Sequence, residues 1–307
     1  MTCHVSVVVH TPAHSQVSGP LTYGSAQPLA PGTLVRVPLG KRETLGVVWD
    51  SDPTTPAPPE GMDVKPVASV LDALAPLPAA WRELVAFSAR YYQRSLGEVA
   101  LAALPPQLRD LGVEQLARRL KRVKETAPAA PNTTDLIALS AEQQCAIGQF
   151  GTENGPFLLF GATGSGKTEV YLRCVQRVLD ADPAAQALVM VPEINLTPQL
   201  EARFHARFGA DHVVSLHSGM TNPQRLRSWL AAHSGAARIV LGTRMAVFAS
   251  MPGLRLIIVD EEHDPSYKQQ EGARYSARDL AVYRGRLEGA KVMLGSATPS
   301  LESWHHS

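Results

Sequence analysis

The sequence predicts an α/β protein in which a small β-rich domain precedes a parallel sheet covered by helices on both faces. Residues 1–105 contain short runs rich in β-branched residues, and proline and glycine separate these runs. After residue 136, short apolar runs alternate with helical patterns, which is typical of a parallel sheet. One of these runs leads directly into a glycine-rich loop and a helix. We therefore divide the chain into a domain at 1–105, a connector at 106–135 and a second domain at 136–307.

The elements of the first domain follow from its local patterns. The strand patterns cover residues 3–10, 34–38, 45–49 and 67–71. The segment 52–61 is too rich in proline to lie inside a sheet, so we expect a loop or a hairpin tip there. Helical spacing of apolar residues follows at 79–93 and again at 97–104, where two prolines end it.

The connector consists of a basic helical stretch and a linker rich in proline and alanine. The basic residues of the stretch are Arg118, Arg119, Lys121, Arg122 and Lys124. The linker covers residues 126–132. A solvated connection between domains and a nucleic-acid contact account equally well for this composition, and both interpretations stay open.

The second domain alternates strands and helices. The predicted strands are 157–160, 187–191, 213–216, 238–241, 254–259 and 290–294. One helix begins at Asn222 and Pro223, because proline is favoured in a first helical turn. Another covers 277–287, with Ser276 as its N-cap and Gly289 beyond its end.

Composition narrows the class of protein. At 307 residues and 45% hydrophobic content, the chain can bury a sizeable core in two domains. Its 29 Lys and Arg residues nearly balance 28 Asp and Glu residues, so any nucleic-acid contact must rely on local patches. The scattered Cys3, Cys145 and Cys174 indicate a reducing compartment without a disulfide framework or a zinc site. The apolar run 5–9 is too short for a signal peptide or a membrane span, so we expect a soluble, cytoplasmic protein.

A phosphate-binding loop lies between a predicted strand and a predicted helix. Its GxxxxGKT pattern consists of Gly161, Ala162, Thr163, Gly164, Ser165, Gly166, Lys167 and Thr168. Backbone N–H groups of such a loop and the positive end of the following helix bind phosphates. We expect Lys167 to reach the β- and γ-phosphates of ATP and the Thr168 hydroxyl to bind Mg²⁺. The simpler alternative is a glycine turn before an ordinary helix.

Acidic residues follow the strand predicted at 254–259. We expect Asp260 to bind Mg²⁺, directly or through water, and Glu261 to orient and deprotonate the attacking water. Because the carboxyl ends of parallel strands share one edge of a sheet, these acids should lie beside the phosphate loop. The alternative is an acidic surface turn after a core strand.

A Ser-Ala-Thr-Pro turn follows the last predicted strand. We expect the hydroxyls of Ser296 and Thr298 to bond a neighbouring carboxylate and to couple it to the state of the nucleotide. Taken alone, this composition is more typical of an ordinary turn.

The order of these motifs resembles that of the superfamily 2 helicases, in which GxxxxGKT is followed by DExH and then SAT. A closer resemblance, to the PriA family of replication-restart helicases (primosomal protein N′), covers nearly the whole chain. It rests on residues 35–41, 91–105, 191–199, 216–219, 242–244 and 260–284. It implies a RecA-like first helicase lobe behind an N-terminal domain that binds the 3′ end of a nascent DNA strand. The implied activity is that of an ATP-dependent 3′–5′ DNA helicase in replication restart and primosome assembly, with His263 joining Lys167, Asp260 and Glu261 in the catalytic set.

Further residue roles are implied by the resemblance alone. Gln143 resembles the glutamine that reads the edge of adenine. Residues that would track single-stranded DNA are Pro192, Glu193, Gly242, Thr243 and Arg244. A loop that senses DNA, with tyrosines stacking on unpaired bases, would comprise Tyr267, Lys268, Gln269, Gln270, Arg274 and Tyr275. Alternatively, these tyrosines pack the loop onto its own domain. Thr22 and Tyr23 align with the 3′-end pocket, where the family often has aspartate in place of Thr22.

The resemblance also implies cofactors and partners. The cofactors would be ATP and Mg²⁺, whereas the zinc-binding cysteines of the family belong to a C-terminal half that lies beyond this sequence. The partners would be forked and single-stranded DNA, primosome proteins and single-strand-binding protein.

Two departures from the family shape our expectation for the 307-residue chain. The connector is too short for the winged-helix domain that the family normally has, and the sequence ends soon after the SAT turn. We therefore expect the chain to bind ATP and DNA, to hydrolyse ATP poorly and not to unwind DNA, because a second lobe supplies an arginine to the γ-phosphate. Another DExH translocase and a non-catalytic module that binds fork DNA stay open as alternatives. A P-loop ATPase without nucleic acid would have no use for residues 242–244.

Overall fold

The computed structural model of the protein describes residues 3–11, 19–50, 64–125 and 137–306. The chain forms two compact units, Met1–Arg122 and Val123–Ser307. The proline-rich segment 52–61 and the linker 126–132 lie outside the described residues, as does the side chain of Lys124. The division between the units falls within the connector predicted at 106–135, and the domain limits at 105 and 136 stay predictions.

An antiparallel sheet forms the centre of the first unit. Its strands are β1 (Cys3–Val9), β2 (Leu21–Ser25), β3 (Leu34–Leu39), β4 (Arg42–Val48) and β5 (Ser69–Val70). Within the described residues they pair in the order β2-β1-β4-β3-β5. Alternating valines of β1 and β3 form a core together with Tyr23 and Val48. Strand β2 is absent from our prediction, because its five residues include a glycine that weakens the strand pattern.

Helices follow this sheet along the chain. They are α1 (Ala79–Tyr91), α2 (Leu96–Ala102) and α3 (Val113–Glu125). Helix α1 buries Trp81, Leu84 and Val85, which lie three to four residues apart on one face. Helix α2 begins at Ser95, whose side chain accepts a hydrogen bond from the Glu98 N–H. The first two helices confirm the predictions to within two residues at each end, and α3 contains the predicted basic stretch.

A parallel sheet forms the centre of the second unit. Its strands are β6 (Phe157–Phe160), β7 (Gln186–Met190), β8 (Val213–Leu216), β9 (Ile239–Gly242), β10 (Leu254–Val259) and β11 (Lys291–Ser296). In the described part of the chain they pair in the order β6-β11-β10-β7-β9-β8. The α/β prediction is confirmed, and every strand predicted for this domain is present with ends shifted by at most two residues.

With one exception, the following helices of the second unit begin at a Ser or Thr cap. They are α4 (Ala141–Thr152), α5 (Lys167–Ala181), α6 (Pro198–Phe208), α7 (Asn222–His233), α8 (Ala277–Glu288) and α9 (Leu301–His305). A Ser or Thr side chain accepts a backbone N–H in the first turn of each except α5, which begins at the phosphate loop. Helix α8 ends at Gly289 in the left-handed conformation, as predicted. No helix among the described residues has the length and apolar character needed to span a bilayer.

Candidate nucleotide-binding site

The phosphate loop connects the carboxyl end of β6 to the first turn of α5. Gly164 and Gly166 take φ angles of +81° and +85°, a region that glycine tolerates without strain. A Cβ atom on Gly164 would meet nothing within 4 Å, so the space beside this glycine is open. The Lys167 ammonium group donates hydrogen bonds to the carbonyl oxygens of Gly161 at 2.8 Å and Ala162 at 3.4 Å. The lysine therefore lies against the backbone that the pattern assigns to phosphate binding.

A cavity of about 600 Å³ lies beside this loop. Its volume falls in the usual range for small-ligand sites. The residues that line it are Ile137, Ala138, Gln143, Thr163, Gly164, Gly166, Lys167, Thr168, Glu169, Leu172, Arg203, Ala206, Arg207, Asp260 and Glu261. The structure thus brings the predicted phosphate-binding and acidic residues together on one cavity.

The acids at the end of β10 lie next to Lys167. The Lys167 Nζ atom is 3.8 Å from Oε1 of Glu261, and Glu261 itself has an unusual φ of +45°. The Asp260 carboxylate accepts a 2.8 Å hydrogen bond from the Tyr171 hydroxyl, and the Asp260 carbonyl oxygen accepts a 2.7 Å bond from the Tyr267 hydroxyl. Burial raises the pKa of the Asp260 carboxyl, against the opposing effect of the Tyr171 hydrogen bond. Burial also raises the pKa of Tyr171 well above its usual value, so its hydroxyl remains a donor.

The oxygen groups on this cavity suit Mg²⁺ bound to a nucleotide. A carboxylate at Asp260 and a hydroxyl at Thr168 are hard ligands of the kind that Mg²⁺ prefers. Among the described residues no group of three or more His, Cys, Asp and Glu side chains is arranged to hold a metal ion. Phosphate oxygens and water would therefore have to complete the coordination, as is usual for Mg²⁺ in nucleotide sites.

The SAT hydroxyls contact the histidine of the DExH motif. Nδ1 of His263 lies 2.7 Å from Oγ of Ser296, and Nε2 of His263 lies 3.3 Å from Oγ1 of Thr298. The same imidazole lies 3.7 Å from the Glu261 carboxylate. Our expectation of direct bonds from these hydroxyls to a carboxylate is wrong, because the imidazole stands between the turn and Glu261.

Glu262 has a structural role that our sequence reasoning missed. Its carboxylate accepts hydrogen bonds from the Ser300 N–H at 2.7 Å, the Ser303 hydroxyl at 2.9 Å and the Arg278 guanidinium at 3.2 Å. Burial favours the neutral acid, but these hydrogen bonds outweigh it and lower the pKa of Glu262. The first turn of α9 is thereby tied to the end of β10. Ser300 and Ser303, three residues apart at the start of a helix, were the available signal.

Gln143 contacts the phosphate loop from α4. Its Nε2 atom donates to the carbonyl oxygens of Ser165 at 3.2 Å and Gly166 at 3.5 Å, while its Oε1 atom accepts from the Ser140 N–H at 2.9 Å. The side chain lines the cavity, as the adenine-reading role requires. In this structure, however, its hydrogen bonds go to the loop and to the helix cap.

The residues proposed to track DNA lie at the carboxyl ends of neighbouring strands. Pro192 and Glu193 follow β7, whereas Gly242 ends β9 and is followed by Thr243 and Arg244. The Arg244 guanidinium lies 3.8 Å from the Glu193 carboxylate. Because β7 and β9 are paired, the two loops lie side by side. Ile194, next to Glu193, is 81% exposed and was not among the predicted contacts.

Arg244 also joins these loops to the segment after the DExH motif. Its Nε atom donates to Oε1 of Gln269 at 2.6 Å, and its Nη1 atom donates to the Ser266 carbonyl oxygen at 3.2 Å. Lys268, Gln270 and Arg274 of the same segment are exposed.

Both tyrosines of this segment pack inward. Tyr267 is only 2% exposed, and Tyr275 packs edge-on against Phe248. Burial raises the pKa of Tyr275 to about 12. The expectation that Tyr267 stacks on unpaired bases is therefore wrong for this conformation, because its ring is buried and its hydroxyl is bonded to Asp260. Packing of the loop onto its own domain, the alternative interpretation, describes both side chains.

The proposed 3′-end pocket residues lie on β2 of the first unit. Thr22 is exposed, whereas Tyr23 is buried in the core of the sheet and donates a 3.1 Å hydrogen bond to the Pro38 carbonyl oxygen. Only Thr22 of the pair presents its side chain to solvent, so Tyr23 is corrected to a core residue.

Two arginines of α6 line the cavity without having been predicted. Arg203 and Arg207 lie four residues apart and therefore on one face of the helix. Arg207 is 4.0 Å from Glu169 of α5, and Arg173 is 2.9 Å from the same carboxylate. The spacing of the two arginines was visible in the sequence, but their orientation depends on how α6 packs beside α5.

Each unit of the chain matches a known protein family. Residues 114–306, well over half of the chain, match the family described as DEAD/DEAH box helicase. The chain therefore belongs to the DEAD/DEAH box helicase family. Residues 6–105 match the family of the PriA 3′ DNA-binding domain. The parallel sheet of the second unit is accordingly a RecA-like helicase lobe, and it follows a separate small β domain.

Curated relatives of this helicase chain bear the name Replication restart protein PriA. The protein of Haemophilus influenzae is 37% identical over 343 residues, which cover 89% of this chain and 46% of the relative. The protein of Rickettsia felis is 34% identical over 275 residues, 90% of this chain and 40% of the relative. The protein of Synechocystis is 52% identical over 150 residues, which cover 48% of this chain and 18% of the relative. The resemblance to the PriA family is confirmed, and the chain spans less than half the length of these relatives.

Proposed function

We propose that this chain provides the ATP-binding lobe and the 3′-end-binding domain of a DNA helicase that acts in replication restart. The observation that carries the proposal is the cavity on which Lys167, Thr168, Asp260 and Glu261 meet. A phosphate loop and two acids on one sheet edge form the arrangement required for nucleotide hydrolysis. The PriA relatives support replication restart as the process.

Each residue on the cavity has a distinct proposed role. Backbone N–H groups at the start of α5 bind phosphate oxygens, and Lys167 exchanges its carbonyl partners Gly161 and Ala162 for the β- and γ-phosphates. Thr168 and Asp260 hold Mg²⁺, which neutralises charge on the phosphates when it is bound. Glu261 orients and deprotonates the attacking water. His263 transmits the position of Glu261 to the SAT turn through Ser296.

DNA binding is proposed at two places. In the second unit, the proposed contacts to the backbone of single-stranded DNA come from Pro192, Glu193 and residues 242–244. Lys268 and Arg274, which belong to the loop proposed to sense DNA, contact phosphates. In the first unit, the domain at 6–105 binds the 3′ end of a strand at a fork, for which the family match is the support. The 3′–5′ polarity is proposed from the resemblance to the PriA family alone. The same holds for the proposed partners, which are primosome proteins and single-strand-binding protein.

Nucleotide binding is tested with a fluorescent ATP analogue and Mg²⁺. The 307-residue chain should bind the analogue, and Lys167→Ala should weaken binding by at least about tenfold, since a charge-assisted hydrogen bond to phosphate contributes about 1.5–3 kcal/mol. Lys41→Ala, at an exposed hairpin turn of the first unit, should leave binding unchanged. Equal affinities of the Lys167→Ala variant and the parent chain would contradict the proposed site.

DNA binding is tested with forked oligonucleotides that carry either a free or a blocked 3′ end. The chain should prefer the free end, because recognition of a terminal hydroxyl is lost when the hydroxyl is blocked. Equal binding to the two forks would instead favour another DExH translocase without 3′-end recognition.

A further inference from the structure

Tyr171 lies one helical turn beyond Lys167 on α5. Residues four apart lie on the same face of a helix, so the Tyr171 side chain lies on the Lys167 face of the helix. Tyr171 is 2% exposed, and its hydroxyl donates a 2.8 Å hydrogen bond to Oδ1 of Asp260, 89 residues away in the sequence.

The neighbouring strand leaves room for this hydroxyl. The Tyr171 hydroxyl packs against Gly295 of β11, where a Cβ atom would lie 1.7 Å from the hydroxyl oxygen. Any side chain at residue 295 would therefore displace the tyrosine. The glycine of the LGSAT sequence is thus explained by the close approach of Tyr171.

The backbone of Asp260 is held by other contacts. Its N–H donates to the Met190 carbonyl oxygen at 2.8 Å, and its carbonyl oxygen accepts from the Tyr267 hydroxyl at 2.7 Å. Among the side chains of the described residues, Tyr171 donates a hydrogen bond to the Asp260 carboxylate, which also accepts one from the Glu261 backbone N–H. Removal of the Tyr171 hydroxyl should therefore loosen the carboxylate while the main chain of Asp260 stays in place.

We propose that Tyr171 is a positioning residue that orients the Asp260 carboxylate for Mg²⁺ in the nucleotide complex. The inference rests on the proposed function, since it requires that Asp260 bind the metal. Residues that hydrogen-bond a metal ligand fix its orientation, and their loss typically reduces metal affinity about 10- to 100-fold. Phenylalanine at position 171 keeps the buried ring and removes only the hydroxyl, so the variant separates orientation from packing.

The experiment measures Mg²⁺ affinity rather than turnover. A fluorescent ADP analogue is titrated with Mg²⁺ in the parent chain and in the Tyr171→Phe variant, and the Mg²⁺ concentration at half-saturation is compared. We expect this concentration to rise about tenfold or more in the variant, while affinity for the analogue without Mg²⁺ stays within about twofold. Tyr91→Phe, at an exposed tyrosine of α1, serves as the control for loss of a phenol hydroxyl and should match the parent chain.

A double-mutant cycle tests whether Tyr171 acts through Asp260. In the Asp260→Asn background, Tyr171→Phe should produce little further change in half-saturating Mg²⁺, because the group that it orients has already been altered. An equal effect of Tyr171→Phe in both backgrounds, or no effect in the parent chain, would overturn the inference. Failure of the parent chain to bind the analogue at all would instead contradict the proposed function.

Discussion

The Glu262 carboxylate accepts a 2.7 Å hydrogen bond from the backbone N–H of Ser300, 38 residues further along the chain. This contact makes the third residue of the DEEH sequence a structural one, although it stands between two residues with proposed catalytic roles. The side chain of Glu262 is fully buried and also pairs with Arg278. The segment that follows the SAT turn is therefore anchored to the strand that carries Asp260 and Glu261.

Replacement of Glu262 by alanine should destabilise the second unit strongly. The change leaves the Ser300 N–H, the Ser303 hydroxyl and part of the Arg278 guanidinium without their acceptor, and loss of one member of a buried pair costs about 3–5 kcal/mol. Urea unfolding followed by circular dichroism measures the loss. Glu302→Ala, at an exposed position of α9, should change the free energy of unfolding by less than about 0.5 kcal/mol.

The effect of Glu262 should also depend on pH. Its pKa in the folded chain is lowered from an ordinary value of 4.5, so its ionised form stabilises the fold at neutral pH. This contribution is present above pH 4.5 and is lost as the pH falls through the lowered pKa. The difference in stability between the parent chain and Glu262→Ala should therefore shrink in acid. A difference that stays constant or grows below pH 4.5 would contradict this assignment.

Asp260→Asn should raise the melting temperature of the chain in the absence of nucleotide. Burial raises the pKa of Asp260 above its ordinary value of 3.8. The folded chain therefore loses stability relative to the unfolded chain as the pH rises from 3.8 to the raised pKa. The gap between the variant and the parent chain should open above pH 3.8 and then level off. Thermal unfolding over a pH series measures it, and Asp72→Asn, at an exposed position, controls for the change in net charge. A lower melting temperature for Asp260→Asn would show that the carboxylate is net stabilising.

Arg244→Ala should weaken the binding of single-stranded DNA to a similar extent for all sequences. A guanidinium that contacts the DNA backbone carries no sequence information, and its removal reduces the slope of log affinity against log salt by about 0.7 to 1. Fluorescence anisotropy with oligonucleotides of different sequence, repeated at several salt concentrations, measures both effects. Arg255→Ala removes an equal charge near the amino end of β10 and should change the slope much less. An unchanged slope in Arg244→Ala would exclude a backbone contact by Arg244.

Two glycines of the second unit should respond to alanine with opposite signs. Gly289 has a φ of +62° at the end of α8, and Gly148 lies within α4 without a positive φ. A Cβ atom would meet nothing within 4 Å at either position, so backbone conformation alone decides the outcome. Gly289→Ala should destabilise by about 1 kcal/mol, and Gly148→Ala should stabilise by about 0.5–1 kcal/mol. Chemical unfolding of the two variants measures the difference, and a shared sign would contradict the explanation.

Much of the candidate site could be predicted because its parts are local. The glycines and Lys167 form a continuous loop pattern, and Asp260 and Glu261 directly follow an apolar strand. Parallel strands end at one edge of their sheet, so these two segments had to meet there once the sheet was inferred. Strand β2 was not predicted, because a five-residue segment that contains a glycine does not show the alternation of apolar and polar residues typical of a strand.

The partners of individual side chains were not predictable in this way. The burial of Tyr267 and the contact of His263 with Ser296 depend on how the segment after β10 folds back over the sheet. A tyrosine followed by lysine and glutamines has the composition of a loop that binds nucleic acid. Composition does not specify, however, whether the tyrosine ring is exposed to solvent or buried in its own domain.

By itself, the sequence determined the α/β class, the phosphate loop and the edge of the sheet where the acids emerge, because hydrophobic period and loop chemistry are properties of neighbouring residues. Only the tertiary structure decided that Tyr171 reaches Asp260 and that Glu262 anchors α9. Those contacts join residues 89 and 38 positions apart, and the first depends on Gly295 leaving space for the tyrosine hydroxyl, so they exist only once helices and strands have packed.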